Sequence, residues 1–237
     1  MNSGGKILFD WHKNARHKRR SGPSEKAPWH FCATHFGARP FPFPSRRRAG
    51  NIEAMPRIAM TTFAVLKQPY PHLSNEDFNA LEPLVFGASE TSPGFIARAT
   101  AIDVADTKWT NFGRDYGDWG RFEAPSFYTG GRTDDTDTRA STLSLWTDLA
   151  SVKAYAYGGL HRQALRDRRR WFAQIPHKLY AAWWVADTEI PTWSEACRRL
   201  EHLDTHGSTP HAFDFRQPYD CEGRPQSAAH SPEVTHV

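Results

Sequence analysis

Two side chains on one strip of a predicted helix are the strongest candidates for chemistry. At about 100° per residue, His161 and Arg168 fall on the same strip as Tyr157 and Phe172. A histidine can exchange a proton near neutral pH, and an arginine can hold a carboxylate or a phenolate. We predict His161 as a general acid or base and Arg168 as the group that holds an anionic oxygen.

The same pattern has three other interpretations. His161 can lie at the edge of the core with its ring hydrogen-bonded to a backbone carbonyl, or it can ligate a haem iron. Arg168 can cover apolar surface with the stem of its side chain. A single titratable residue is a candidate and does not fix a reaction.

Aromatic residues are abundant, and several would wall a pocket between this helix and a sheet. The chain has nine tryptophans, and such side chains line pockets as well as cores. The predicted walls of the pocket are Trp146, Tyr157, Phe172, Trp183 and Trp184.

Other motifs give no support for a metal or a nucleotide. His202 and His206 lie one helical turn apart, with His211 beyond them, but the HExxH pattern is missing. Histidines near the end of a helix are favoured by its dipole in any case. The sequence contains no GxGxxG, P-loop or GxSxG string. We therefore predict no metal ligands, no nucleotide-dependent reaction and no serine-hydrolase reaction.

Residues 106–131 form a long segment where a tight hairpin is expected. Aromatic side chains recur in it every three or four residues, interleaved with glycines that disfavour a helix. A long connection of this kind is often a lid over a binding site. Packing on the surface of the domain or on a second copy explains the aromatic residues equally well.

The elements that position these residues predict an α+β domain. The strands are predicted at residues 62–68, 95–104, 142–146 and 178–186, and the helices at 74–91 and 148–172. The order β-α-β-β-α-β is that of a ferredoxin-like antiparallel sheet with helices on one face. Ser74 is the predicted N-cap of the first helix. An extra C-terminal helix over 193–206 is capped by Thr192 and ended by Gly207, and residues 212–215 predict a short strand.

The fourth strand is apolar on both faces. Side chains alternate along a strand, so Trp183 and Trp184 point to opposite sides of the sheet. If helices cover one face only, the other needs a cover as well, and a second copy of the sheet is the simplest one. This pattern predicts a homodimer.

Domain boundaries follow from charge and composition. We predict a domain over residues 60–219, a disordered tail over 220–237, and a leader over 1–59 with a net charge of +9. The leader is either a disordered basic arm or an upstream extension from a wrong start codon, with translation from Met55 or Met60. The rest of the chain is mildly acidic, at −5, so no nucleic-acid partner is predicted.

Compartment is inferred from the cysteines and from the hydropathy. Three dispersed cysteines without CxxC spacing fit reduced thiols, and hence a cytoplasmic protein. The longest apolar run, residues 179–186, is too short to cross a membrane. No secretory signal is recognised.

Several unusual strings resemble the domain-of-unknown-function 3291 family, in the dimeric α/β-barrel superfamily. The resemblance covers residues 62–219 and implies a ferredoxin-like fold and a dimer, but no established reaction. The wider superfamily includes cofactor-free monooxygenases, haem-degrading enzymes and haem peroxidases, with a pocket between sheet and helices. The strings are 63–69 (FAVLKQP), 92–96 (SPGFI), 144–149 (SLWTDL), 157–161 (YGGLH), 168–172 (RRRWF), 182–185 (AWWV), 190–196 (IPTWSEA), 199–203 (RLEHL) and 213–215 (FDF).

Two functions are predicted from these observations. The first is a cofactor-free monooxygenase- or isomerase-like enzyme that acts on a small aromatic or apolar compound. The alternative is a non-catalytic dimer that binds such a ligand or haem. No cofactor is favoured.

Overall fold

An antiparallel sheet lies at the centre of the computed structural model, which describes residues 55–102 and 109–227. Within these residues the chain is an α+β domain with a four-stranded sheet and four α-helices. In chain order they are β1 (Arg57–Val65), α1 (Glu76–Glu90), β2 (Phe95–Arg98), β3 (Arg139–Trp146), α2 (Leu149–Ala156), α3 (Gly159–Asp167), β4 (Tyr180–Val185) and α4 (Trp193–His206).

The strands follow the order β2-β3-β1-β4, and each neighbouring pair is antiparallel. Ile58 of β1 lies opposite Trp146 on one side and Trp184 on the other. β1 begins at Arg57, five residues before its predicted start, and Ile58 and Ala59 are fully buried. The predicted part of the second strand at residues 103–104 lies outside the described residues.

One face of the sheet is covered by α2 and by a C-terminal segment. Ile58 and Trp146 pack there against Val152 of α2. Phe213 pairs with Ala182 of β4 through two backbone hydrogen bonds of 2.9 Å, so the predicted short strand is an isolated bridge at the sheet edge.

The opposite face is covered within the same chain. Leu145 and Trp183 pack against Trp193 of α4 and against Tyr116 and Phe122 of the long segment after β2. The extra C-terminal helix therefore lies on the face opposite to α2, so helices flank both faces of the sheet. Trp183 is fully buried on this face, and Tyr180 and Trp184 are partly buried on the other by segments of the same chain. The apolar pattern of β4 therefore no longer requires a second copy.

The long segment is held on this face by a buried polar network. Asp137 accepts hydrogen bonds from Thr110 Oγ1 at 2.8 Å and from Tyr128 OH at 2.9 Å. Its carboxylate also pairs with the guanidinium of Arg139 at 3.1 Å, and both side chains are 1% exposed. Buried charges need such partners, so the network holds the segment at Thr110 and at Tyr128.

The predicted helix over 148–172 is wrong, because a glycine pair divides it. α2 ends at Ala156, and α3 starts again at Gly159, whose φ is +43°. A Cβ on Gly158 would lie 2.5 Å from the carbonyl oxygen of Ala154. The strip that joined Tyr157 to Phe172 therefore does not run along one continuous helix.

Two helix starts differ in how well they were predicted. Ser74 is not the cap of α1, because a 3₁₀ turn comes first and Asn75 occupies the cap without a side-chain bond. The bounds of α4 are confirmed, with Thr192 Oγ1 accepting from the Glu195 N–H at 3.2 Å. Gly207 follows at φ +72°.

The described chain continues beyond the sheet into the residues of the predicted tail. A turn closes where Asp220 accepts from the Arg224 N–H at 2.8 Å. The rest of the predicted tail, residues 228–237, and residues 1–54 of the predicted leader lie outside the described residues.

Candidate functional site

A cleft of about 460 Å³ opens between the C-terminal end of α1 and the junction of α2 with α3. This volume is in the range of small-molecule sites. Its walls are small or apolar, and His161 is their one imidazole. The described lining residues are Ala88, Ser92, Pro93, Ala150, Ser151, Ala154, Tyr155, Gly158, Gly159, Leu160 and His161.

The glycine pair brings His161 to this cleft. The ring Nδ1 lies 2.7 Å from the carbonyl oxygen of Ala156, the last residue of α2. A carbonyl only accepts, so Nδ1 carries the proton and Nε2 keeps its lone pair. Within the described residues Nε2 has no hydrogen-bond partner. Burial lowers the pKa of His161, although the hydrogen bond to Ala156 opposes this shift, so the ring is neutral at pH 7.

Tyr155 forms the wall beside His161. Its ring centroid lies 4.9 Å from that of His161, and its hydroxyl donates to the Val85 carbonyl of α1 at 3.2 Å. On its other side it stacks on Trp146, with centroids 5.1 Å apart. Trp146 is 1% exposed, so it supports the wall from behind and does not line the cleft.

The hydroxyl groups of the cleft already have acceptors. Ser92 Oγ donates to the Ala88 carbonyl at 2.7 Å, and Ser151 Oγ donates to Asp148 Oδ2 at 2.9 Å. The backbone N–H groups of the first turn of α3 have no intrahelical acceptor, and the cap residue Gly158 has no side chain. These amides and His161 Nε2 are therefore polar groups of the lining residues that can bond a ligand.

The other predicted site residues do not lie together. Arg168 is exposed and its guanidinium donates to the Leu165 carbonyl. Tyr157 is 54% exposed and contacts Phe215. Phe172 packs on Phe78.

The two predicted wall tryptophans of β4 also lie elsewhere. Trp183 is fully buried on the face of the sheet under α4. The indole of Trp184 donates to the Tyr219 carbonyl at 2.8 Å. Of the seven predicted residues, His161 alone lines the cleft, which lies between helices rather than between a helix and the sheet.

Sequence reasoning missed the contribution of α1. Ala88, Ser92 and Pro93 line the cleft, but no site role was predicted for the residues at and beyond the end of the first helix. A Cβ on Gly94 would lie 2.3 Å from Ser151 Oγ. This glycine was the signal in the sequence that the turn after α1 approaches Ser151 of α2 closely.

Glu82 is a titratable group that was not predicted from the sequence, and it lies outside the cleft. Its Oε1 accepts from the hydroxyl of Tyr70 at 3.3 Å. Burial of the carboxyl group raises its pKa to about 7, although Tyr70 and the charges of Arg139 and Arg98 oppose this shift.

The three histidines near the end of α4 contact one another without forming a metal site. The ring of His202 lies 4.3 Å from His206 and 4.7 Å from His211, measured between centroids. No group of three or more His, Cys, Asp or Glu in the part of the chain that the structure describes could hold a metal ion. Among residues 55–102 and 109–227, no helix combines the length and hydropathy needed to span a bilayer.

Comparison with known proteins defines the family of this domain. No curated protein matches the sequence. The crystal structure of the NE2512 protein of unknown function from Nitrosomonas europaea matches at 10% identity and a TM-score of 0.32, over 58% of this chain and 94% of that one. The family described as a domain of unknown function (DUF3291) matches residues 57–229, from the first residue of β1 to beyond the last described residue, so the chain belongs to this family.

Proposed function

We propose that this domain binds a small aromatic or apolar molecule in the cleft, with a hydroxyl group of the ligand donating to His161 Nε2. The observation that carries the proposal is the hydrogen bond of His161 Nδ1 to the Ala156 carbonyl at 2.7 Å. It fixes the tautomer and leaves one lone pair in an apolar cleft. A ligand that only accepts hydrogen bonds would leave this lone pair unpaired.

The test compares two probes that differ in one hydrogen-bond donor. With the full chain, 2-naphthol is expected to bind about 5–10-fold more tightly than 2-methoxynaphthalene, because a neutral hydrogen bond contributes roughly 1 kcal/mol. His161→Phe keeps a ring of similar shape and is expected to abolish this preference. His206→Phe, which is exposed on α4, is the matched control. Binding of neither probe, or a preference that survives in His161→Phe, contradicts the proposal.

A second candidate is proton transfer without a cofactor, as in an isomerase or a cofactor-free monooxygenase. A neutral imidazole is the protonation state required of a general base. The first-turn amides of α3 would stabilise an enolate or phenolate formed beside it, a role that the sequence prediction gave to Arg168. Deuterium exchange at an acidic carbon of a bound ketone, lost in His161→Phe, is the measurement that separates catalysis from binding.

Haem ligation by His161 has weaker support. Among the eleven described residues that line the cleft, none is Lys or Arg, the side chains that would hold haem propionates. A Soret band in the purified full chain that disappears in His161→Ala would establish this alternative.

The fold and the assembly proposed from the sequence have unequal support. A ferredoxin-like arrangement is supported by the strand order β2-β3-β1-β4 and by helices between β1 and β2 and between β3 and β4. The dimeric barrel and the homodimer rest on the family resemblance alone. A cytoplasmic location is supported by the free thiols of Cys197 and Cys221.

A further inference from the structure

A second and much smaller cavity lies on the other face of the sheet, beneath α4. Its volume is about 10 Å³, room for a single water-sized molecule. β1, β3 and α4 surround it, and Glu123 and Pro125 of the long segment contribute to its wall. It shares no lining residue with the cleft at His161.

Two polar atoms of the residues that line this cavity have no hydrogen-bond partner among the described residues. They are the indole Nε1 of Trp193 and the hydroxyl Oγ of Ser141, and both are shielded from solvent. An unpaired buried polar group loses its hydration without compensation, and native proteins rarely leave such groups unpaired. Both residues line the same cavity, so one small molecule can pair with both.

Among residues 55–102 and 109–227, neither of these two groups has another hydrogen-bond partner. The indole ring of Trp193 is held by edge-to-face contacts with Tyr116 and Phe122, at centroid distances of 5.3 and 4.9 Å. Thr61 also lines the cavity. Its hydroxyl donates to the Thr142 carbonyl at 3.0 Å, which leaves its lone pairs as acceptors.

We infer that this cavity binds one ordered water molecule that links α4 to the sheet. The water accepts from Trp193 Nε1, which is only a donor, and exchanges a hydrogen bond with Ser141 Oγ. Thr61 Oγ1 is the third partner. Three bonds of this kind are typical of a buried water, and water has both the size and the mixed donor and acceptor capacity that this set requires.

The experiment combines a double-mutant cycle with a direct observation in the full chain. Trp193→Phe and Ser141→Ala are each expected to lower Tm by roughly 2–4 °C. The double variant is expected to lose less than the sum, because both side chains bond the same water. A crystal structure at high resolution should show density within hydrogen-bonding distance of both atoms.

Trp183→Phe is the matched control. Trp183 Nε1 is also buried without a partner, but Trp183 does not line this cavity. Because Trp183 cannot share the water of this cavity with Ser141, the effects of Trp183→Phe and Ser141→Ala are expected to add. Strictly additive effects of the two cavity variants, or a cavity without density, would overturn the inference.

Discussion

The protonation of His161 is the residue-scale property on which the proposed function depends. Burial lowers its pKa below the ordinary 6.5, so the folded state binds its proton less well than the unfolded state. Stability should therefore fall as pH decreases through 6.5 and below it. NMR titration of the ring Cε1–H, assigned with His161→Gln, measures the pKa directly. A value at or above 6.5 would contradict the burial seen in the cleft.

Glu82 provides the opposite pH dependence. Its pKa rises from 4.5 unfolded to about 7 folded, so the folded state holds the proton more tightly. The stabilisation is complete below pH 4.5 and is lost as pH rises to 7, and the difference is on the order of 3 kcal/mol. Urea unfolding of Glu82→Gln between pH 5 and 8 is expected to lack this fall. A variant that keeps the full pH dependence of the wild type would place its origin elsewhere.

At the scale of elements, the break between α2 and α3 creates the cleft, and its glycines are not equivalent. Gly158→Ala should destabilise the fold by about 1–3 kcal/mol, because its Cβ meets the backbone of Ala154 at 2.5 Å. Gly159→Ala meets no atom within 4 Å, but φ is +43°, so it should cost about 1 kcal/mol. Both should also weaken 2-naphthol binding.

Gly87→Ala is the control for these two variants. Gly87 lies in α1 with open space around it and no positive φ. Alanine is favoured over glycine in a helix interior, by roughly 0.5–1 kcal/mol. Thermal unfolding of all three variants therefore separates the destabilisation caused by backbone geometry at residues 158 and 159 from the general effect of replacing glycine by alanine. If Gly158→Ala is as stable as Gly87→Ala, the two helices do not need the close approach at Ala154.

The elements that could be predicted from the sequence are those whose two ends are both marked by local residues, such as an N-cap and a terminal glycine. α4 has an N-cap at Thr192 and a glycine at 207, and its predicted bounds are confirmed. The break at Gly158 was missed because apolar periodicity continues across it, and periodicity does not report where two helices change direction. His161 was found from its residue type, but its hydrogen bond to Ala156 exists only because of that break.

At the scale of the whole molecule, the segments that cover the second face of the sheet could not be identified from the strand sequences. An apolar face shows that a cover is needed, but it does not identify the cover. In this chain α4 and the aromatic residues of the long segment cover that face. Packing on the surface of the domain was one of the explanations predicted for these aromatic residues. The homodimer stays a prediction, and light scattering of the full chain tests it, since a monomer mass would contradict it.

The start of β1 determines how much of the N-terminus can be removed before the domain fails to fold, because β1 lies between two other strands of the sheet. A chain that begins at Met60 lacks Ile58 and Ala59, which are fully buried between β3 and β4. It also lacks Arg57, whose guanidinium donates to the Glu189 carbonyl at 2.6 Å. We expect the fragment 60–237 to be unfolded or much less stable than the fragment 55–237, as judged by far-UV circular dichroism and thermal unfolding.

Ile58→Ala in the full chain checks the same point without a truncation. Removal of a fully buried isoleucine side chain from the centre of the sheet should cost about 2–5 kcal/mol. Met55→Ala, at a residue that is 76% exposed, should change the free energy of unfolding by less than about 0.5 kcal/mol. Equal stability of Ile58→Ala and Met55→Ala would mean that the sheet closes without the first residues of β1, and translation from Met60 would then yield a folded domain.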